Sequence, residues 1–397
     1  MPAVSLARTM HPPSLRLNRA LDLACRDARA LRVETALRGT PYRRRVAVGD
    51  PQAPLCQFLA ILDHHSLLGD DGRLAPDVQL VSLGDHFDWG DASERATAAR
   101  DGLQLLAWLA AHPTDQVGLI LGNHDLARVG ELCGFDDDAF AVAQRRAEAL
   151  YQPSAHDRRR EAALLADYPS LPSVEAIARD FACFRAAQRE LVTALLRAGR
   201  FRVALAEGAD LLLCHAGVTR DLSGGDHPDA REVAAALNAR LDATVAVWQP
   251  GTALVIPGLH QPGNAAEGAG RGIFFHRPVR PSEGAAPSAR TLRRRFDPRH
   301  LPLGLTQVIG HTRDFKCRQL LKEWAEPLPV TGGCLRHLRT DGQAVRYTLG
   351  LPQDEQPEAA TLIFADGGMA AAAVDAFELF DLDRRRVFVP PHALPVR

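Results

Sequence analysis

Lysine is almost missing from this 397-residue chain: Lys316 and Lys322 stand alone against a large excess of arginine. With alanine and proline so abundant, this reads as GC-rich coding, and no function follows from it. The formal net charge of −1 excludes a global pull toward nucleic acid or an anionic membrane, so anionic partners must be sought through local basic patches. No stretch approaches the roughly 20 apolar residues of a membrane span, and residues 1–13 lack the continuous apolar core of a signal peptide. The seven cysteines are scattered, form no C-x-x-C, and in several cases sit inside apolar runs, where a thiol behaves as a small hydrophobe. The expectation is a cytoplasmic protein with neither a membrane nor a nucleic-acid partner. No internal repeat is evident.

What the chain does have is a recurrent punctuation. In V-Q-L-V-S-L-G-D-H-F-D-W-G (Val78 to Gly90) a β-type apolar run stops at Gly84 and delivers two carboxylates and a histidine. Val78, Leu80, Val81 and Leu83 suit a strand buried on both faces, and Gly84 permits the turn that brings Asp85 to a ligand. Asp85 then sits at a strand's carboxyl end, where open α/β sheets place their ligands. The same grammar recurs in V-A-V-G-D (Val46 to Asp50), G-L-I-L-G-N-H-D (Gly118 to Asp125), L-L-L-C-H-A-G (Leu211 to Gly217) and Q-V-I-G-H-T (Gln307 to Thr312). Packing alone gives no reason to put Asp50, Asp85, Asn123, His215 and His311 each just past a strand. Carboxylate, amide and imidazole donors without thiolate suit Mn²⁺, Fe or Zn²⁺, with Mg²⁺ also compatible.

The order G-D, G-D-x-x-D-x-G, G-N-H-D, H-A-G, G-H-T resembles the calcineurin-like metallophosphoesterase superfamily, in particular its serine/threonine phosphoprotein phosphatases and symmetrical dinucleoside tetraphosphate hydrolases. The motifs run from Asp50 to His311, about two thirds of the chain. Two positions depart from the pattern: Gln52 stands where the family has the histidine of G-D-x-H, and Trp89 where it has the arginine of G-D-x-x-D-R-G. The resemblance implies a four-layer α/β/β/α sandwich with a helical insertion and a site for two divalent ions, Mn²⁺ first among them. Asp50 and Asp85 would serve the first ion; Asp85, as the bridge, would serve the second with Asn123, His215 and His311. Gln52 can still ligate the first ion through its carbonyl oxygen, but a neutral amide should hold Zn²⁺ or Fe less tightly than imidazole does and tolerate Mn²⁺ or Mg²⁺.

The implied activity is hydrolysis of phosphate monoesters, on a phosphoprotein or a small molecule, by in-line attack of a hydroxide held between ions roughly 3.5–4 Å apart. His124, next to Asn123, would protonate the leaving oxygen, and Asp88 is by resemblance the carboxylate that keeps it charged. The unmatched His86 reads as a loop histidine or as a substitute ligand. Arginine matches phosphate oxygens with its planar fork; Arg277, between the H-A-G and G-H-T motifs, is the first choice for that role and Arg128 the second. Nucleotide polyphosphate or phosphodiester hydrolysis at the same site is the near alternative, and a metal-binding scaffold without turnover the distant one.

The organisation expected along the chain is a tail and helix over 1–41, with the helix spanning Ser14 to Leu37, then a first core part over 42–134. A helical cap over 135–200 is inserted before a second core part over 201–397, which carries a mobile loop at 262–300. Arg293, Arg294 and Arg295 lie late in that loop. The runs Ala359 to Ala365 and Phe377 to Val389 read as antiparallel strands completing a sheet.

Overall fold

The computed structural model describes residues 14–39, 41–152, 157–263, 271–281, 294–354 and 356–390. The strands begin with β1 (Arg44–Val48), β2 (Val78–Ser82), β3 (Val117–Ile120), β4 (Phe201–Arg202), β5 (Ala204–Glu207) and β6 (Leu211–Cys214). Four short ones follow, β7 (His260–Gln261), β8 (Arg271–Gly272), β9 (Arg277–Pro278) and β10 (Arg295–Phe296). The last are β11 (Thr306–Ile309), β12 (Arg336–Thr340), β13 (Val345–Leu349), β14 (Ala360–Phe364), β15 (Phe380–Asp381) and β16 (Arg386–Val387). They build two six-stranded sheets, ordered β16-β15-β1-β2-β3-β4 and β13-β12-β14-β11-β6-β5.

The side-chain alternation of a strand explains the layering. Val46 and Val48 of β1, Leu80 of β2, Leu212 of β6 and Ile309 of β11 point outward into a core shared with the helices, among them Phe58, Leu62, Leu105 and Trp108. Their neighbours Ala47, Val81, Leu211, Leu213, Val308 and Ile363 point inward and pack the two sheets on each other. Strands buried on both faces read as near-continuous apolar runs, which is why β1, β2, β3, β6 and β11 were visible in the sequence. The result is an α/β sandwich, with the helices Leu55–His64 and Arg95–Ala110 covering one sheet and Ala230–Val247 the other.

Three local outcomes differ from expectation. The first helix covers only Leu15–Ala30, because Leu31 turns left-handed at φ 44° and the Glu34 carboxylate then accepts the N–H groups of Thr35 and Ala36. β14 pairs antiparallel with β12 but parallel with β11, so only one of its two pairings matches the antiparallel reading. β15 and β16 do form an antiparallel hairpin, but at the edge of the other sheet, with β15 against β1. Parallel pairing needs a long crossover, and a strand's own residues do not say which neighbour that crossover brings.

Residues from Phe135 to Phe184 pack a core of their own, including Phe140, Leu164, Leu171, Ile177 and Phe184. The next helix, Ala186–Arg197, returns to the main core through Leu191 and Leu195. Of the expected loop at 262–300, residues 264–270 and 282–293, and Arg293 with them, lie outside the described residues. The flanking parts are held in the pairs β7–β8 and β9–β10. Among the described residues no helix is long and apolar enough to cross a membrane.

Candidate functional site

β1, β2 and β3 run parallel in one sheet, β6 and β11 parallel in the other. Their carboxyl ends meet along one rim, so Asp50, Asp85 and Asn123 come from one sheet and His215 and His311 from the other. One ligand-type atom each of Asp85, His215 and His311 lies within 4.8 Å of the other two, and all three residues are buried. Asp85 Oδ1 is 3.4 Å from His215 Nε2 and accepts the His124 N–H at 2.8 Å. Asn123 Oδ1 lies 3.1 Å from the same His215 nitrogen. Both oxygens of Asp50 accept the His311 N–H, at 2.9 and 3.0 Å.

The backbone is bent to make this possible. Asp85, Asp88 and His311 all have left-handed φ values, 57°, 65° and 62°, which cost energy for residues with a side chain and cluster at functional sites. Gly122 meets the Asp85 turn so closely that a Cβ there would collide with the Asp85 backbone nitrogen and carboxylate. A deeper carboxylate, Asp125, ties the turn together by accepting N–H groups from Asp85 (3.0 Å), His86 (3.2 Å) and Gly122 (2.9 Å). The His86 ring is spent in the same network, Nδ1 on Asp125 at 3.0 Å and Nε2 on Ser82 Oγ at 2.9 Å. His86 is therefore a fully buried brace, with no ring nitrogen left for a metal. Its signal, and that of Asp125, was present in G-D-H and G-N-H-D but could not be separated there from a ligand's.

The donor set fits a divalent cation. The Leu83 carbonyl takes His215 Nδ1 at 2.7 Å, which turns Nε2 toward Asp85 and Asn123, the arrangement by which a metal-binding imidazole is usually fixed. His311 Nε2 is buried with no hydrogen-bond partner among the described residues. Gln52 is buried nearby, and its amide nitrogen donates to the Phe87 carbonyl at 2.9 Å, which leaves the carbonyl oxygen as the end that could ligate. Burial disfavours charge on His215, but Asp85 outweighs it and pushes the imidazole up to about 9. Burial, with Arg277 and His215 adding repulsion, holds His311 well below the usual histidine range. Burial and the neighbouring Asp366 carry Asp50 well above the usual carboxylate range. A cation at this rim would displace the His215 proton and relieve the crowded acids together.

Beside the rim, His124 Nδ1 lies 2.8 Å from Asp88 Oδ2, and its Nε2 is 3.8 Å from Asp85 Oδ2. Burial opposes a charged His124, yet Asp85 and then Asp88 outweigh it and raise its pKa. Burial would raise Asp88, but Arg128 and then His124 hold it below the usual range. Arg128, the second choice for gripping phosphate, is fully buried: it donates to Asp88 at 2.6 Å, to the His124 carbonyl at 3.0 Å and to Gln188 at 3.2 Å. It braces Asp88 and His124 from inside the protein, and its Nη2 is buried with no hydrogen-bond partner among the described residues. Trp89 is buried in a small cluster with Ala98, Ala99 and Cys183. The segment 135–200 reaches the dyad as well, since Cys183 N–H donates to Asp88 Oδ1 at 2.9 Å and the Phe181 ring stands edge-on to His124 at 5.2 Å.

Arg277, at the start of β9, is half-buried, and its Nε has no hydrogen-bond partner among the described residues. Burial lowers its pKa, and the carboxylates whose charge it feels are those of Asp85, Asp180, Asp366 and Asp50. Its guanidinium is thus close enough to the rim for those acids to act on its charge.

No protein-family model matches this chain, and no curated protein matches it. A solved structure of a mutant cold-active protein tyrosine phosphatase is similar at a TM-score of 0.37 and 13% sequence identity, over 90% of this chain and 80% of that one. A likeness at that level supports no argument about the site.

Proposed function

We propose that this chain is a calcineurin-like metallophosphoesterase that uses two divalent ions to hydrolyse phosphate monoesters. What carries the reading is the convergence of five strand-end donors from two sheets on one buried rim, with the His124–Asp88 pair directly beside it. Asp50, Asp85, Asn123, His215 and His311 would hold the ions, with the carbonyl oxygen of Gln52 at the first. Two such ions, Mn²⁺ by preference, would supply Lewis acidity and a water acidic enough to act as nucleophile near neutral pH.

The chain's own residues would do the rest. Arg277 would pair its fork with non-bridging phosphate oxygens and orient the ester. His124, kept protonated by Asp85 and Asp88, would give its Nε2 proton to the leaving alkoxide. Arg128 would hold Asp88 in place from behind, and the segment 135–200 would act as a cap whose Phe181 shields the imidazole from water. A non-catalytic metal scaffold would have no use for this acid pair. The test is Mn²⁺-dependent hydrolysis of p-nitrophenyl phosphate, abolished in Asp85→Asn. Absence of turnover in the wild-type protein with any of Mn²⁺, Zn²⁺, Fe²⁺ or Mg²⁺ would sink the proposal.

A further inference from the structure

A sixth strand delivers a polar side chain to the same rim. β14 runs parallel to β11 with Phe364 opposite Ile309, and the Ala365 N–H still bonds the Ile309 carbonyl at 2.7 Å. Asp366 follows two residues past the end of β14, and His311 two residues past the end of β11. The Gly49–Asp50 turn closes on the same point from the other sheet: a Cβ on Gly49 would collide with the Ala365 carbonyl and lie 2.7 Å from the Asp366 nitrogen. Only glycine allows that approach, and it brings the backbones of Asp50 and Asp366 together. Arg336, fully buried, locks the corner by donating to the carbonyls of Asp366 at 2.7 Å and Thr312 at 3.3 Å.

Asp366 is 3% exposed, and its carboxylate accepts the Gly368 N–H at 3.1 Å. Among the described residues the half-exposed Arg313 pairs with it, Nε at 3.7 Å. Asp50, also 3% exposed, accepts only the backbone N–H of His311 among the described residues. Two buried carboxylates placed side by side, with Asp85 beyond, repel each other unless a cation lies between them. His311, 6% exposed, donates its N–H to Asp50, and its Nε2 is buried with no hydrogen-bond partner among the described residues. The backbone contact and the adjacent buried acids leave this corner short of positive charge beyond the half-exposed Arg313.

We propose that Asp366 is a ligand of the divalent ion held at Asp50, providing the anionic donor that the neutral amide of Gln52 does not. This rests on the two-ion reading above. A second hard carboxylate in place of an imidazole suits Mn²⁺ or Mg²⁺ better than Zn²⁺, and it sets this chain's first metal position apart.

The experiment is calorimetric titration of Mn²⁺ into demetallated full-length protein, comparing wild type, Asp366→Asn and Arg313→Gln. Wild type should bind two ions per chain. Asp366→Asn keeps an acceptor for the Gly368 N–H, and one of the two ions should weaken by more than the roughly 10–100-fold typical of losing an outer partner. Arg313→Gln removes the competing guanidinium and should tighten that same ion. Two ions bound by Asp366→Asn with wild-type affinities would overturn the proposal and leave the two-ion reading intact; no Mn²⁺ bound by wild type would overturn both. If Asp366→Asn does not fold by circular dichroism, Arg313→Gln decides alone, and unchanged affinity there overturns the proposal.

Discussion

Two buried acid–imidazole pairs, Asp85–His215 at the rim and Glu131–His260 away from it, come out electrically opposite. At the rim, His215 is held at hydrogen-bond distance by the Leu83 carbonyl and the Asn123 side chain, and Asp85 pushes it up to about 9. Below the short helix Asn123–Ala127, Glu131 and His260 are equally buried and stand 3.9 Å apart, with no hydrogen-bond partner for either carboxylate oxygen or either ring nitrogen among the described residues. There burial dominates both groups, raising Glu131 to about 7 and lowering His260 to about 3. The distance alone would label them an ion pair; the directions of both shifts make them two neutral groups near pH 6. Burial therefore does not decide charge by itself. What decides it is whether several oriented donors and acceptors surround the group, as they do at the rim and do not at Glu131.

The largest effect that could break this contrast is expected at His124. If His124, whose pKa the rim's acids raise, is a working acid, His124→Ala should lose roughly 10²–10⁴-fold in rate on an alkyl phosphate and far less on p-nitrophenyl phosphate, whose leaving group departs unaided. Equal losses on the two substrates in steady-state assays would show that His124 is structural. Next is Arg128→Met, which leaves the Asp88 charge buried without its guanidinium. Urea unfolding should show a loss of about 3–5 kcal/mol, as for other broken buried pairs. A change within about 0.5 kcal/mol, the range of an ordinary surface substitution, would mean that water reaches Asp88.

The sealed pair has its own signature in the pH dependence of stability. Glu131 keeps its proton in the native state up to about 7, whereas the unfolded chain releases it near 4.5. Between those values the native state binds more protons than the unfolded one, so stability falls as pH rises and then levels off above about 7. Glu131→Gln cannot ionise, and its stability relative to wild type should climb across that window by about 3 kcal/mol, whatever constant offset the amide introduces. Parallel stability–pH curves would show that Glu131 is solvated. The smallest effect is expected at Asp125→Asn, which keeps one acceptor oxygen for the Asp85 turn and loses the other. Mn²⁺ affinity should fall roughly 10–100-fold while fold stability changes little, measured by titration and thermal melting.

The strands carrying Asp50, Asp85, Asn123, His215 and His311 were legible because each is an apolar run buried on both faces that ends at a metal-type side chain, four of the five with a glycine directly before it, a pattern local to a handful of residues. The α/β class followed from strands alternating with amphipathic helices. Asp366 belongs to the same grammar, an apolar strand followed by an acid, and was passed over because D-G-G reads first as a turn. Position between two motifs ranked Arg277 ahead of Arg128, but nothing in the sequence showed that Arg128 lies wholly inside the protein against Asp88. Nor could β14 be known to run parallel to β11, or Glu131 to meet His260, since these partners are 55 and 129 residues apart. Local pattern thus determined which residues end strands and what donor chemistry they carry. Tertiary structure alone decided which of them share a corner, which are braces and which are charged, because those properties depend on burial and on neighbours that the chain brings together only when it folds.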